Sequence, residues 1–331
     1  MLSYPQYGPR ETYEPVIEAL LASGPMQRLK GIHQLGVYHY FVPSGCAKRY
    51  EHSLGVMMLL RRFGASLEEQ IAGLLHDVSH MAFSHVADYL FETWEEDFGE
   101  RFTQAFVTKG EVAEILQMYG FDPNVIADVH QYGLLERERP DLCADRLDYS
   151  FRDGVSFGCL TLVQVRRFVE DLRIEDGQFV FLTASLAADY TRLFIELDRD
   201  WYSGAKGIAS YFLMVDAMRA AFDEGVLCYE DLWKDDAHVM RRLNLATSQD
   251  VKRPLCALVN GFDVDQEAGN PTHVLKKKLR YVDPFVRTQQ GLERISHIDA
   301  SVNEAIEVYF QQREEPVTFS IIYQQAWESI N

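Results

Sequence analysis

The chain of 331 residues is 47% hydrophobic, enough to bury a large core, and it carries 50 acidic against 32 basic side chains for a net charge of −18. That balance repels a nucleic-acid backbone at long range and argues against a polymeric DNA or RNA partner, while a small phosphorylated ligand held by local cations stays open. Five scattered cysteines without CxxC spacing (Cys46, Cys143, Cys159, Cys228 and Cys256) read as reduced thiols, and no stretch is long and apolar enough to span a bilayer. With no leader pattern in MLSYPQYGPRETYEP, a cytoplasmic protein that does not enter a membrane is expected.

In chain order, Gly24-Pro25 opens PMQRLKGIHQLG, where Met26, Leu29, Ile32 and Leu35 recur at near-helical spacing and predict a helix. RYEHSLGVMMLLRRF is a second, strongly apolar helical stretch with His52 near its start. Ser66 and Glu69 form a capping-box pattern ahead of Ile71, Leu74 and Leu75, which puts the adjacent pair His76-Asp77 at the C-terminal end of a third helix. Asp122-Pro123 is a similar start signal before Val125, Ile126 and Val129. In LRIEDGQFVFL two short apolar runs flank Asp176-Gly177, the chemistry of a tight hairpin near 172–182. TASLAADYTRLFIELDRDWY and KGIASYFLMVDAMRAAFDEG return to helical periodicity. From about Glu230 the pattern is mixed, with loop-like NGFDVDQEAGNPT, a strand signal in KKKLRYVDPFV and another in PVTFSIIY. Lys276, Lys277 and Lys278 read as solvated surface. The expected architecture is mainly α: a helical bundle with a short β-hairpin over 1–229, then a smaller mixed α/β lobe over 230–331 that serves oligomerisation.

His52, His76, Asp77 and Asp145 form an ordered H…HD…D set. Two imidazoles and two carboxylates suit a divalent ion that accepts mixed nitrogen and oxygen donors, such as Mn, Fe, Ni, Co, Zn or Mg, and a second ion is an open alternative. Four protein ligands leave positions free for a water and a phosphate oxygen, the requirement for metal-assisted phosphoester hydrolysis. The stretch EQIAGLLHDVSHMAFSH adds His80 and His85, a density of ionisable groups that an apolar segment tolerates only with partners. Neighbours on a helix point about 100° apart. His76 and Asp77 therefore share an ion only if it sits across the helix shoulder, enclosed by the helices that carry His52 and Asp145. His85 and Asp88, three apart, fall on one helical face, so the carboxylate orients an imidazole able to protonate a leaving oxygen, with His80 beside the phosphate.

RYEHSLGV, AGLLHDVSHMAFSH and DRLDY resemble the HD-domain metal-dependent phosphohydrolase superfamily, in particular the branch containing deoxynucleoside triphosphate triphosphohydrolases. The likeness covers most of the chain up to about Asp153. It implies metal ligands at His52, His76, Asp77 and Asp145, phosphate contacts from Arg49 and Arg146, a sugar-facing Tyr149, and sugar-hydroxyl contacts from Gln34 and Asp153. It also implies a small phosphorylated substrate of nucleotide type (dNTP or dNMP-like) and a homo-oligomer. The branch's additional histidine followed by Glu is missing, since EEDFGERFTQAF holds no histidine and Phe98 or Gly99 stands in its place. TYEPVIEAL replaces the branch's opening Asp-Pro and His-Gly motif, and the basic positions that the branch uses to grip a triphosphate tail are not evident in SYFLMVDAMRAAFDEG. A monophosphate, a phosphodiester or another phosphorylated metabolite therefore stays open as substrate. Two further readings are a nucleotide sensor with little catalysis and a diiron oxygenase that uses His80 and His130 as extra ligands.

Overall fold

Helix α1 (Arg49–Arg62) is buried along most of its length because its apolar run, Leu54 to Leu60, is wedged between α2 (Leu67–Leu75) and α4 (Ala144–Ser156). The computed structural model describes residues 7, 12–42, 46–92, 98–275 and 278–323; Lys276 and Lys277 of the basic run lie outside them. The Ser66 hydroxyl accepts the Glu69 N–H at 3.1 Å and caps α2 as its pattern predicts. The Glu69 carboxylate does not turn back to complete a box. It accepts the N–H groups of Leu134 and Leu135 at 2.8 and 3.1 Å, so a buried side chain ties the loop before α4 to α2. Helix α2 stops at Leu75, with His76 as its C-cap.

The short helix α3 (Val86–Leu90) follows the histidine-rich turn. Beyond α4, α5 (Ala184–Leu197) and α6 (Ala205–Asp223) confirm the later helical periodicities, and α6 packs between α3 and α7 (Gln249–Asn260). The hairpin forms as expected from β1 (Leu172–Glu175) and β2 (Gln178–Phe181), with Asp176 and Gly177 at φ of 50° and 71°, the positive values a two-residue primed turn requires.

The remaining strands are β3 (Phe262–Asp265), β4 (His273–Leu275), β5 (Phe285–Thr288), β6 (Gly291–Arg294) and β7 (Val317–Tyr323), and α8 (Ala300–Glu314) precedes the last of them. β5 pairs parallel to β2, so the first hairpin and the β5–β6 pair form one sheet in the order β1-β2-β5-β6. A second sheet runs β3-β7-β4. The chain beyond residue 230 is thus built onto the bundle's own hairpin.

Local structure differs from the sequence patterns in four places. PMQRLKGIHQLG is not one helix: Gly24–Arg28 is helical, Leu29–Gly31 is a 3-10 turn, and His33 then pairs with Lys48. Met26, Leu29, Ile32 and Leu35 are all buried nonetheless. The backbone unwinds because Gln34 N–H is drawn to the Ala47 carbonyl and Arg49 N–H to the Ile32 carbonyl, both at 2.9 Å. The Asp122 start leads only to Pro123–Ala127, with Val129 in a separate 3-10 turn. Loop-like NGFDVDQEAGNPT contains β3, whose edge pairing to β7 outweighs its polar composition. In KKKLRYVDPFV the strand begins only at Phe285, after Pro284, which lacks the N–H a ladder needs. Among the described residues no helix is long and apolar enough to cross a membrane, and all five cysteines are free thiols.

Candidate active site

The ends of α1, α2 and α4 meet at the four expected ligands. His52 Nε2 lies 2.9 Å from Asp145 Oδ1 and 3.5 Å from Asp77 Oδ2, while His76 Nε2 lies 3.4 Å from Asp145 Oδ1 and 3.6 Å from Asp77 Oδ1. These separations match neighbouring donors around one ion with bonds of about 2.0–2.2 Å, which sit roughly 3.0–3.5 Å apart. His76 donates Nδ1–H to the Gly73 carbonyl at 2.8 Å, which leaves its buried Nε2 facing the carboxylates with no hydrogen-bond partner. Burial opposes a charged imidazole, yet Asp77 and then Asp145 push His76 up to about 10. The two carboxylates create a demand for positive charge that a divalent ion meets, so the donor set fits a metal. His52, His76 and Asp77 also form a compact group of metal-competent atoms. Asp77 lies one residue past the helix cap, which is how two successive residues reach the same point.

A residue that the motifs do not single out as functional completes this centre. Asp148, on α4 one turn after Asp145, is fully buried and accepts from His52 Nδ1 at 2.8 Å and from Arg152 Nε at 2.5 Å. With Nδ1 carrying the proton, His52 presents its Nε2 lone pair to the ligand cluster. A Cβ on Gly55 would fall 2.1 Å from Asp148 Oδ1 and 2.2 Å from Arg152 Nη2, so glycine is what allows α1 to approach α4 here. The signal for Asp148 was its spacing: three residues after one carboxylate ligand and four before an arginine.

Around the candidate ligands, Arg49 is buried and held by three side chains. It donates Nη1–H to Asp77 Oδ2 at 2.6 Å and Nε–H to Ser84 Oγ at 2.9 Å, and its Nη2 lies 3.3 Å from His85 Nε2. His85 Nδ1 meets Asp88 Oδ2 at 2.9 Å, the pair expected from their spacing, and Asp88 Oδ1 accepts the Phe98 N–H. His80 Nε2 lies 3.2 Å from Asp77 Oδ1. Burial and the Arg49 charge hold His80 down at about 4, and burial likewise lowers His85. Phe83 and Ser84 take left-handed φ of 59° and 49° just before His85. Such strain costs about 1–3 kcal/mol per residue and is held here by Phe83 N–H on Asp236 Oδ1 and Ser84 Oγ–H on the His33 carbonyl.

Eleven of the twelve residues singled out from the sequence line one cavity of about 1140 Å³; Asp88 stands behind His85. Gln34 is buried, and its Oε1 has no partner. Arg146 spends Nη1 and Nη2 on the carbonyls of Asp141 and Arg137, at 2.5 and 3.1 Å. Tyr149 packs near Tyr202, whose hydroxyl donates to Asp153 Oδ2 at 2.8 Å. His130 lines the cavity wall outside the compact ligand group.

Burial pushes Asp153 up to about 7. From about pH 4 to 7 the folded chain then keeps a proton that the unfolded chain has released, so this group's contribution to stability declines as pH rises through that window. Asp153→Asn is expected to melt a few degrees above the wild type at pH 8 and level with it at pH 4. Parallel melting curves at every pH would refute this.

The HD domain family model matches residues 49–144, which span three of the four candidate ligands. The metal-dependent phosphohydrolase cns2 of Cordyceps militaris is 32% identical over 288 residues, covering 85% of this chain and 83% of its own. The chain belongs to the HD-domain metal-dependent phosphohydrolases. This HD phosphohydrolase is also 33% identical over 310 residues to the uncharacterized protein YdhJ of Bacillus subtilis, across 93% of this chain and 95% of that protein. It is 26% identical over 232 residues, 59% of the chain, to the deoxynucleoside triphosphate triphosphohydrolase SAMHD1 homolog of Dictyostelium discoideum, of which 44% is covered. A solved phosphohydrolase from Bacteroides thetaiotaomicron superposes with a TM-score of 0.72 at 15% identity, covering 97% of this chain and 98% of that one, which shows the shared fold.

At Phe98-Gly99, where the sequence has no counterpart of the triphosphohydrolase pattern's additional histidine, Gly99 packs on His80. A Cβ there would lie 2.7 Å from His80 Nδ1, so the space of a side chain is given to the imidazole. Gly99→Ala is expected to leave metal content intact and lower turnover about 10- to 100-fold by displacing His80. Unchanged kcat in a correctly metallated variant would show that His80 has no such role.

Proposed function

We propose that this HD phosphohydrolase cleaves the phosphoester of a nucleotide or a closely related small metabolite. The observation that carries the reading is the buried, unpartnered His76 Nε2 within a two-histidine, two-carboxylate cluster that shares a cavity with Arg49, His80 and His85. His52, His76, Asp77 and Asp145 would hold a divalent ion, which would supply Lewis acidity and lower the pKa of water toward neutrality. Mixed imidazole and carboxylate donors favour Mn, Fe, Co, Ni or Zn over Mg.

In this reading Arg49 reaches phosphate oxygens from its position between Asp77 and His85. Asp88 fixes the His85 tautomer so that Nε2 faces the cavity; an arriving phosphate dianion favours protonation there, and His85 then delivers that proton to the leaving oxygen. His80 lies against Asp77 and contributes a neutral imidazole beside the phosphate. Gln34 Oε1, Tyr149 and Asp153 line the same cavity, and in this reading they meet the hydroxyls and ring of a sugar. Arg146 props the loop 137–141 that walls the same cavity. The segment 230–331 is assigned to self-association, supported by exposed Val274 and Ile322 on its small sheet.

Purified protein with Mn²⁺ is to be assayed on nucleoside mono-, di- and triphosphates, deoxy and ribo, and on phosphodiesters. Turnover of at least one member is expected. Tight ligand binding with no hydrolysis of any ester would sink the hydrolase reading in favour of a sensor, and two irons per chain would favour an oxygenase.

A further inference from the structure

The segment from Lys278 to Pro284, ahead of β5, crosses the cavity wall and is stapled to the loop 137–141. Arg139 donates to the Leu279 carbonyl, Asp283 N–H to the Pro140 carbonyl at 3.1 Å, and Arg294 bridges the Asp283 carbonyl and Asp141 Oδ1 at 2.7 and 2.5 Å. Arg280 N–H donates to the Tyr309 hydroxyl at 2.8 Å, and that hydroxyl donates to buried Asp198 at 2.9 Å, which anchors the residue to α8. The Arg280 side chain lines the cavity, with its guanidinium carbon 5.8 Å from the Tyr202 ring centroid. Its charge is felt by both His85 and Asp88. A guanidinium fixed through its backbone at the wall of the cavity that also holds Arg49, His80 and His85 is suited to an incoming oxyanion.

We propose that Arg280 binds the phosphate group of the substrate, so that the active site is completed by a residue from outside the HD bundle. The inference rests on the hydrolase reading above, and the two are separable by experiment. The HD phosphohydrolase loaded with Mn²⁺ is titrated calorimetrically with inorganic phosphate as wild type, Arg280→Gln and Arg280→Lys, and ester turnover is measured separately. Phosphate is expected to bind the wild type, about tenfold or more weakly to Arg280→Gln and with intermediate affinity to Arg280→Lys, at constant metal content. Equal phosphate affinity in wild type and Arg280→Gln, or no phosphate binding by the wild type, overturns the proposal whatever the turnover. Phosphate affinity that depends on Arg280 in a protein that hydrolyses no ester supports the anion site while refuting the hydrolase. Should Arg280→Gln fail to fold, Arg280→Lys decides: a lowered melting temperature with unaltered phosphate affinity marks a structural residue and overturns the proposal.

Discussion

Asp77→Asn is expected to empty the metal site and reduce phosphoester turnover by about a thousandfold or more, since a catalytic ion contributes several kcal/mol of transition-state stabilisation. The carboxylate stands at the crossing of the site, within 3.6 Å of His52, His76, His80 and Arg49. Burial works against its ionisation, but Arg49, His76 and His80 hold its pKa well below the usual carboxylate range. Asparagine keeps an acceptor for Arg49 while removing the negative charge that binds the ion. Asp77→Ala is expected to lose stability as well, by about 3–5 kcal/mol, because it leaves the buried Arg49 guanidinium without its charge partner. Metal analysis, steady-state kinetics and urea unfolding on the two variants separate these effects. Full metal occupancy in Asp77→Asn would exclude Asp77 as a ligand.

The second large effect is expected at Asp148, which is buried and acts through His52. Burial raises its pKa less than Arg152 and His52 lower it, so the group is ionised near neutral pH. Asp148→Asn takes the charge from beside a buried arginine, with an expected loss of about 3–5 kcal/mol of folding free energy. It also replaces the anionic acceptor that keeps the His52 proton on Nδ1 with a weaker neutral amide oxygen, for an expected 10- to 100-fold loss of metal affinity. The companion Arg152→Met removes the other half of the ion pair and leaves Asp148 on His52. If metal affinity tracks overall stability alike in both variants, the orienting role of Asp148 is wrong; a loss specific to Asp148→Asn supports it.

Both expectations depend on which contacts were legible in the chain itself. The cluster of His52, His76, Asp77 and Asp145 was legible as a candidate metal site because ligand chemistry restricts the residue types and three of the four sit in short motifs whose periodicity places them at helix ends. The His85–Asp88 pair was legible for the same reason, since a spacing of three on one turn forces proximity. Asp148 was visible only as part of a Tyr-containing motif, and its function appears once α1 lies against α4 across Gly55.

Secondary structure followed the same division. The hairpin at Asp176-Gly177 and the Ser66 cap are local events, fixed by turn dihedrals and a hydroxyl within three residues. The unwound segment from Leu29 to Gln34 was illegible because its apolar spacing is helical while its backbone N–H and carbonyl groups are claimed by residues 47–49. Strand β5 was equally hidden, since its partner β2 lies about a hundred residues earlier.

By itself the sequence determined the candidate ligand types, their helical carriers and the HD phosphohydrolase family, because the motifs that carry them depend on interactions within a few residues. Only the tertiary structure decided that Asp148 orients His52, that Gly99 yields its space to His80, and that Arg280 comes to the cavity from beyond the bundle. Each of those contacts joins segments far apart in the chain, and burial and charge pairing at such distances leave no periodic trace in the sequence.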